Sequence, residues 1–138
     1  MAVLNFRASG NIAPSRFVTI SGPGTVAQAG DNADVIGVSH EGTQRAPLSD
    51  YGGTPLAAQA GQSIAVYSVG EICLLEAGGT ISAGQLLRSD SSGRGVPVET
   101  TGTTIRNYGA VALDSATGSG QKIRVFVVPL NKIRPALS

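Results

Sequence analysis

The side chains able to do chemistry are few and scattered in this 138-residue chain: one histidine, His40, one cysteine, Cys73, two lysines, Lys122 and Lys132, and nine carboxylates. Ser39-His40 has the residue types of a nucleophile and its base. Neighbours in a strand point to opposite faces, however, and Gly37-Val38-Ser39-His40-Glu41 lacks the second glycine of a G-x-S-x-G elbow. A zinc site built from several nitrogen and sulfur ligands is out of reach of a single chain with one His and one Cys. Gly22-Pro23-Gly24-Thr25-Val26-Ala27 matches G-x-G-x-x-A after a strand, but it runs into Gln28-Ala29-Gly30-Asp31-Asn32. That is a turn, whereas a dinucleotide loop must open a helix whose N-terminus binds pyrophosphate. No Gly-Lys-Ser/Thr occurs, and Asp31 and Asp34 lack the oxygen ladder and central glycine of a calcium loop. Repeated Ala-Gly turns around short strands are shared with lipoyl-type carrier domains, yet Lys122 falls in a strand and Lys132 in the tail rather than at a hairpin tip. The expectation is a chain that is not an enzyme, with no catalytic residue, no cofactor and no metal.

What remains is scaffold, and the composition agrees. Charged residues make up 14% of the chain, against a typical value of about 25%. So sparse a charge hints that part of the surface is covered by other subunits. Nineteen glycines call for many turns and short elements. A net charge of +1, no Trp, three Phe and three Tyr give neither a basic stripe nor an aromatic platform, so no nucleic-acid partner is expected. No stretch approaches the ~18 apolar residues of a membrane span. Cys73 lies in the apolar run Ile72-Cys73-Leu74-Leu75 and reads as a small buried thiol.

The elements that must carry these residues are strands. Glu76 to Asp90 reads as turn, strand, turn, strand, with Ala77-Gly78 and Ala83-Gly84 turning the chain and Ile81, Leu86 and Leu87 buried. Residues 1–15 read as an extended N-terminal arm with one short strand at Val3 to Phe6. Residues 16–130 read as a β domain: strands at Arg16–Ser21, Thr25–Ala29 and Ala33–Ser39, a hairpin from Ser63–Ser68 to Gly70–Leu75 across a two-residue break, an edge strand at Val96–Glu99, and Tyr108–Leu113. Residues 40–61 read as a long loop with one possible helical turn at Leu56–Ala60. The clearest strand is the last, with Ile123, Val125 and Val127 on one face and Lys122, Arg124 and Phe126 on the other. Residues 131–138 read as a short basic tail. No 3.6-residue apolar period is sustained, so the expected fold class is all-β, a small single-domain barrel or sandwich.

Three stretches, in this order, resemble the capsid decoration, or cement, proteins of tailed bacteriophages. They are Ala33-Asp34-Val35-Ile36-Gly37-Val38-Ser39, the double turn from Ala77 through Asp90 to Gly93, and Tyr108 to Ala116 followed by Gly118 to Val125. The resemblance implies a β domain that binds the outside of a phage head as a homotrimer, with the major capsid protein as partner, and stabilises the shell by bridging capsomers. It also implies a virion protein made in the host cytoplasm. On that reading Asn5, Phe6, Arg7, Arg16 and Phe17 face the capsid, and Arg124 and Phe126 lie in the trimer interface. The alternative is a small carbohydrate- or ligand-binding β domain of a phage fibre or bacterial surface protein, whose candidate sugar platforms are Tyr51, Tyr67 and Tyr108.

Overall fold

The computed structural model describes residues 3–40, 58, 60–98 and 106–133, and every regular element in it is a strand. The first five strands are β1 (Val3–Ala8), β2 (Phe17–Gly22), β3 (Thr25–Gln28), β4 (Gly37–Ser39) and β5 (Ser63–Tyr67), which close into a barrel in the order β1-β3-β2-β4-β5. Its interior holds Ala8, Ile12, Val18, Val26, Ala58, Ile64 and Val66, with Phe6 and Ile36 packed against them. The other five are β6 (Ile72–Glu76), β7 (Leu86–Ser89), β8 (Gly95–Pro97), β9 (Arg106–Ala112) and β10 (Lys122–Ile133), in a sheet of order β6-β10-β9-β7-β8. The inner face of this sheet supplies Cys73, Leu75, Leu87, Ala110, Ala112, Ile123, Val125 and Val127 to a second core.

One strand serves both cores. Successive side chains of a strand point to opposite faces, so Val18 enters the barrel while Phe17 leaves it and packs in the second core beside Val35 and Val38. Val38 is the register partner of Phe17 on β4. Across from them Gly109 of β9 leaves the space that Val35 occupies; a Cβ there would collide with Val35 and sit 3.7 Å from the Phe17 ring. The turn after β7 is tied to the same place: Phe17 N–H donates to Gly93 O at 2.7 Å, and Gln28 Nε2 and Arg16 Nη1 each donate to Ser92 O at 2.8 Å. Asp90 holds that turn by accepting the Ser92 and Arg94 N–H groups at 2.8 and 2.9 Å, as an Asx turn does.

The all-β expectation holds, and so does the alternation of the last strand: Ile123, Val125 and Val127 are buried while Arg124 and Phe126 are exposed. The double turn also holds in outline. Ile81 and Leu87 are buried, Gly84 takes a positive φ of 91°, and Gly78 is required by space instead, since a Cβ there would strike Asp90. Thr80–Ser82 is reduced to one bridge, Ile81 to Ala116, and Leu86 lies half-buried on the outer face.

Three expectations are corrected. Residues 3–8 are no projecting arm: β1 pairs antiparallel with β5 over five positions and parallel with β3, and Ile12 behind it is fully buried. Removing residues 1–15 would therefore open the barrel. The hairpin from Ser63–Ser68 to Gly70–Leu75 does not form, because β5 belongs to the barrel and β6 to the second sheet; β3 pairs with β2, and β4 with β2 and β5. The basic tail begins later than residue 131, since Asn131, Lys132 and Ile133 pair with Tyr108, Asn107 and Arg106 beyond a register shift after Val127. Pro129 sits within that shift, where its missing N–H costs no ladder bond. The possible helical turn at Leu56–Ala60 lies largely outside the described residues; Ala58 itself forms a bridge with Ile12.

Because Phe17 fills the junction of both halves at no solvent exposure, Phe17→Ala is expected to lower unfolding stability by about 3–5 kcal/mol. Urea denaturation followed by circular dichroism measures it. A loss below about 1 kcal/mol would show that the junction is not packed around this ring.

Candidate interaction surface

Backbone pairing places a row of apolar side chains on the outer face of the second sheet. Phe126 of β10 is the register partner of Ile72 on β6 and of Val111 on β9, and Val111 is in turn the partner of Leu86 on β7. Partners in register share a face. The face is the outer one, because Cys73, Val125, Val127, Ala110, Ala112 and Leu87, which alternate with them, are core. Four strands at about 4.8 Å spacing make the row roughly 15 Å long. Val98 extends it, its N–H donating to Leu86 O at 2.9 Å. Beside the row, Leu74 is the partner of Arg124, and Leu113 N–H donates to Arg124 O at 2.9 Å. Ile72 is 58% exposed, Phe126 39% and Leu113 39%, so the row is open to solvent.

Two arginines of this face are paired within the chain, while Lys122, the next outward position of β10, is exposed. Arg124 grips Asp114 in a two-pronged pair, Nε to Oδ2 at 2.9 Å and Nη2 to Oδ1 at 2.9 Å, and its own N–H reaches Asp114 Oδ2 at 3.1 Å. The Arg124 guanidinium bonds lower the Asp114 pKa to about 2, with the Arg124 N–H adding to the effect. The same pair raises the Arg124 pKa. Arg88, two residues beyond Leu86, donates to Asp31 Oδ1 at 2.8 Å. With these pairs formed, Arg124 and Arg88 add little net charge with which to choose or repel a charged partner.

The residues proposed for interfaces divide accordingly. Arg124 and Phe126 come together on this face, as alternate outward positions of β10. The five proposed capsid contacts do not form one surface. Asn5 sits opposite Ala65 in the barrel ladder, Phe6 packs against the barrel core, and Arg7 is exposed near the start of β3, its N–H donating to Gly24 O at 3.0 Å. Phe17 is fully buried. Arg16 is held inside by Glu76 Oε2 at 3.2 Å, with only 16% of its side chain exposed. Arg16 and Phe17 are therefore part of the junction between barrel and sheet, and their reading as capsid contacts is corrected. Sequence reasoning missed Ile72, Leu74, Val111, Leu86 and Leu113. The available signal was the unbroken run Ile72-Cys73-Leu74-Leu75, since a strand apolar on both faces is one covered, or waiting to be covered, on both.

The other candidate groups have structural settings. Ser39 is fully buried; its Oγ accepts the Arg16 N–H at 3.0 Å and donates to Ala13 O at 2.8 Å. The exposed His40 ring stacks on Tyr67, centroids 5.7 Å apart and 11° between planes. Tyr67 and Tyr108 are half-buried, and Tyr51 lies outside the described residues.

Asp114 supplies a pH test. Its depressed pKa means that the ion pair contributes above the ordinary carboxylate pKa near 3.9 and is lost as pH falls through about 2. A carboxyl NMR titration should give Asp114 a midpoint near 2, and Arg124→Gln should return it toward about 3.9. An unchanged midpoint in that variant would show that the pair does not hold the charge.

No family model matches the chain, and no curated protein does either. Among solved structures, the fold is similar to the crystal structure of the N base of head fiber gp8.5 in bacteriophage phi29, at 19% identity and a TM-score of 0.53, over 91% of this chain and 92% of that one.

Proposed function

We propose that this chain is a non-enzymatic structural protein of a phage virion, one that binds the outside of the head as a homotrimer and stabilises the shell by bridging copies of the major capsid protein. The observation that carries the reading is the likeness to a head-fiber base across nearly the full length of both chains. It is supported by the three ordered stretches that resemble phage decoration proteins and by the apolar row on the second sheet. Stable interfaces commonly bury roughly 800 Å² per partner around an apolar centre with a polar rim. The row through Phe126 is such a centre, and the Arg124–Asp114 pair belongs to its rim. Several contacts of moderate strength, multiplied by trimer valency, then hold a shell without any one being strong.

The first test is co-sedimentation of the purified protein with heads of its own phage stripped of this chain, before and after expansion. Saturable binding to expanded heads at the stoichiometry of threefold positions is the expected result; a well-folded protein that binds neither form overturns the reading. The trimer is tested by Phe126→Asp, which places a charge at the centre of the row and is expected to shift the sedimentation coefficient from trimer to monomer while leaving the thermal midpoint within a few degrees. A wild-type protein that sediments as a monomer both free and after release from heads would remove the trimer from the proposal.

A further inference from the structure

Four arginine side chains among the described residues hold a carboxylate: Arg16 with Glu76, Arg88 with Asp31, Arg94 with Asp90 and Arg124 with Asp114, all between 2.8 and 3.3 Å. Arg7 departs from this pattern. It is exposed and has no carboxylate partner among those residues. Its backbone, in contrast, is held from both sides, opposite Ser63 of β5 and Thr25 of β3, with its N–H on Gly24 O at 3.0 Å.

The surroundings of Arg7 are hydroxyls. Partners in register share a face, so Ser63 and Thr25 stand with Arg7 on the outside of the barrel. Ser9, the next outward position of β1, is exposed as well. It belongs to a directed chain in which Ser21 Oγ donates to Ser9 Oγ at 2.8 Å and Ser9 Oγ donates to Val26 O at 3.2 Å. A guanidinium offers five N–H donors in a fixed fork that matches a carboxylate, and a rigid strand with small neighbours presents it without obstruction.

Topology says where this face points. In the closed order β1-β3-β2-β4-β5, β1 lies across the ring from β2 and β4. Those two strands turn Phe17 and Val38 into the second core, so the outer side of β1 at Arg7 is directed away from the second sheet. It therefore lies on the other side of the molecule from the apolar row. Copies that associate through that row leave the Arg7 face pointing outward from their common centre.

We infer that the barrel face around Arg7 is a contact with the head shell and receives a carboxylate side chain of the shell protein; the inference rests on the head-binding reading above. A polyanion such as nucleic acid is held by several cations together. On this face Arg7 is the single described cation, since Lys122 and Arg124, the other exposed ones, belong to β10. One fork among hydroxyls suits one carboxylate. The surface across from the self-association row is also the one free to reach a neighbouring capsomer, as bridging requires.

The test is co-sedimentation of Arg7→Gln and Arg7→Glu with expanded heads, with Lys122→Gln as the control. Loss of a charge-assisted pair is expected to weaken binding about tenfold in Arg7→Gln and further in Arg7→Glu, while Lys122→Gln stays within about threefold of wild type. Raising salt from about 0.05 to about 0.5 M should weaken the wild type more than Arg7→Gln. Independently of any variant's folding, phenylglyoxal labelling of Arg7 in the wild-type protein should slow on heads. Wild-type affinity in both Arg7 variants, or unchanged labelling of Arg7 on heads, overturns the inference and leaves the head-binding reading intact. Absence of wild-type binding overturns both. An Arg7→Glu protein that loses self-association yet binds heads as the wild type does assigns the face to a second copy and overturns the shell contact.

Discussion

The alternation of side chains along β2 is the constraint on which the rest of the molecule depends. Phe17 and Val18 are adjacent and both fully buried, in different cores. A strand whose start is covered on both faces cannot tolerate a one-residue slip there, since Phe17 and Val18 would exchange cores. The polar groups around Phe17 hold that register. Phe17 N–H is committed to Gly93 O and Phe17 O to Ala29 N–H, and Arg16 beside it bonds both Glu76 and Ser92. A buried guanidinium paired in this way locks geometry more than it adds net stability, because desolvation offsets much of the attraction.

The sequence made strand content and local burial legible wherever they depended on period alone. The run from Lys122 to Val127 alternates charge and aliphatic side chain and is found so. Pairing partners were another matter. Ile64 and Val66 of β5 and Cys73 and Leu75 of β6 show the same inward alternation, and nothing local says that one pair lines a barrel and the other a sheet. Residues 1–15 read as an arm although Ala8 and Ile12 lie in the barrel core with Phe6 against it, because one short strand carries no local sign of the strands it will pair with. Arg16 looked like a surface charge because its carboxylate partner lies sixty residues away at Glu76. The candidate surface was half legible. Arg124 and Phe126 stood out on an alternating strand, whereas Ile72, Val111 and Leu86 join them only through cross-strand register.

The outer face of the second sheet shows why a low overall charge matters more by position than by sum. The Arg124–Asp114 and Arg88–Asp31 pairs balance their own charges within the chain. Exposed pairs of this kind add little to folding stability. Their effect is on what the surface can meet: with both arginines paired, the apolar side chains between them have the larger share in setting the partner.

Sharing β2 between two cores has a mechanical side. A joint between two lobes normally lies where few contacts cross, so the lobes rock. Here the crossing element is itself the wall of both, and any rocking must uncover Phe17 or Val18. The molecule is thus built as a strut: a load applied at the second sheet passes to the barrel through the packed side chains of Phe17 and its neighbours.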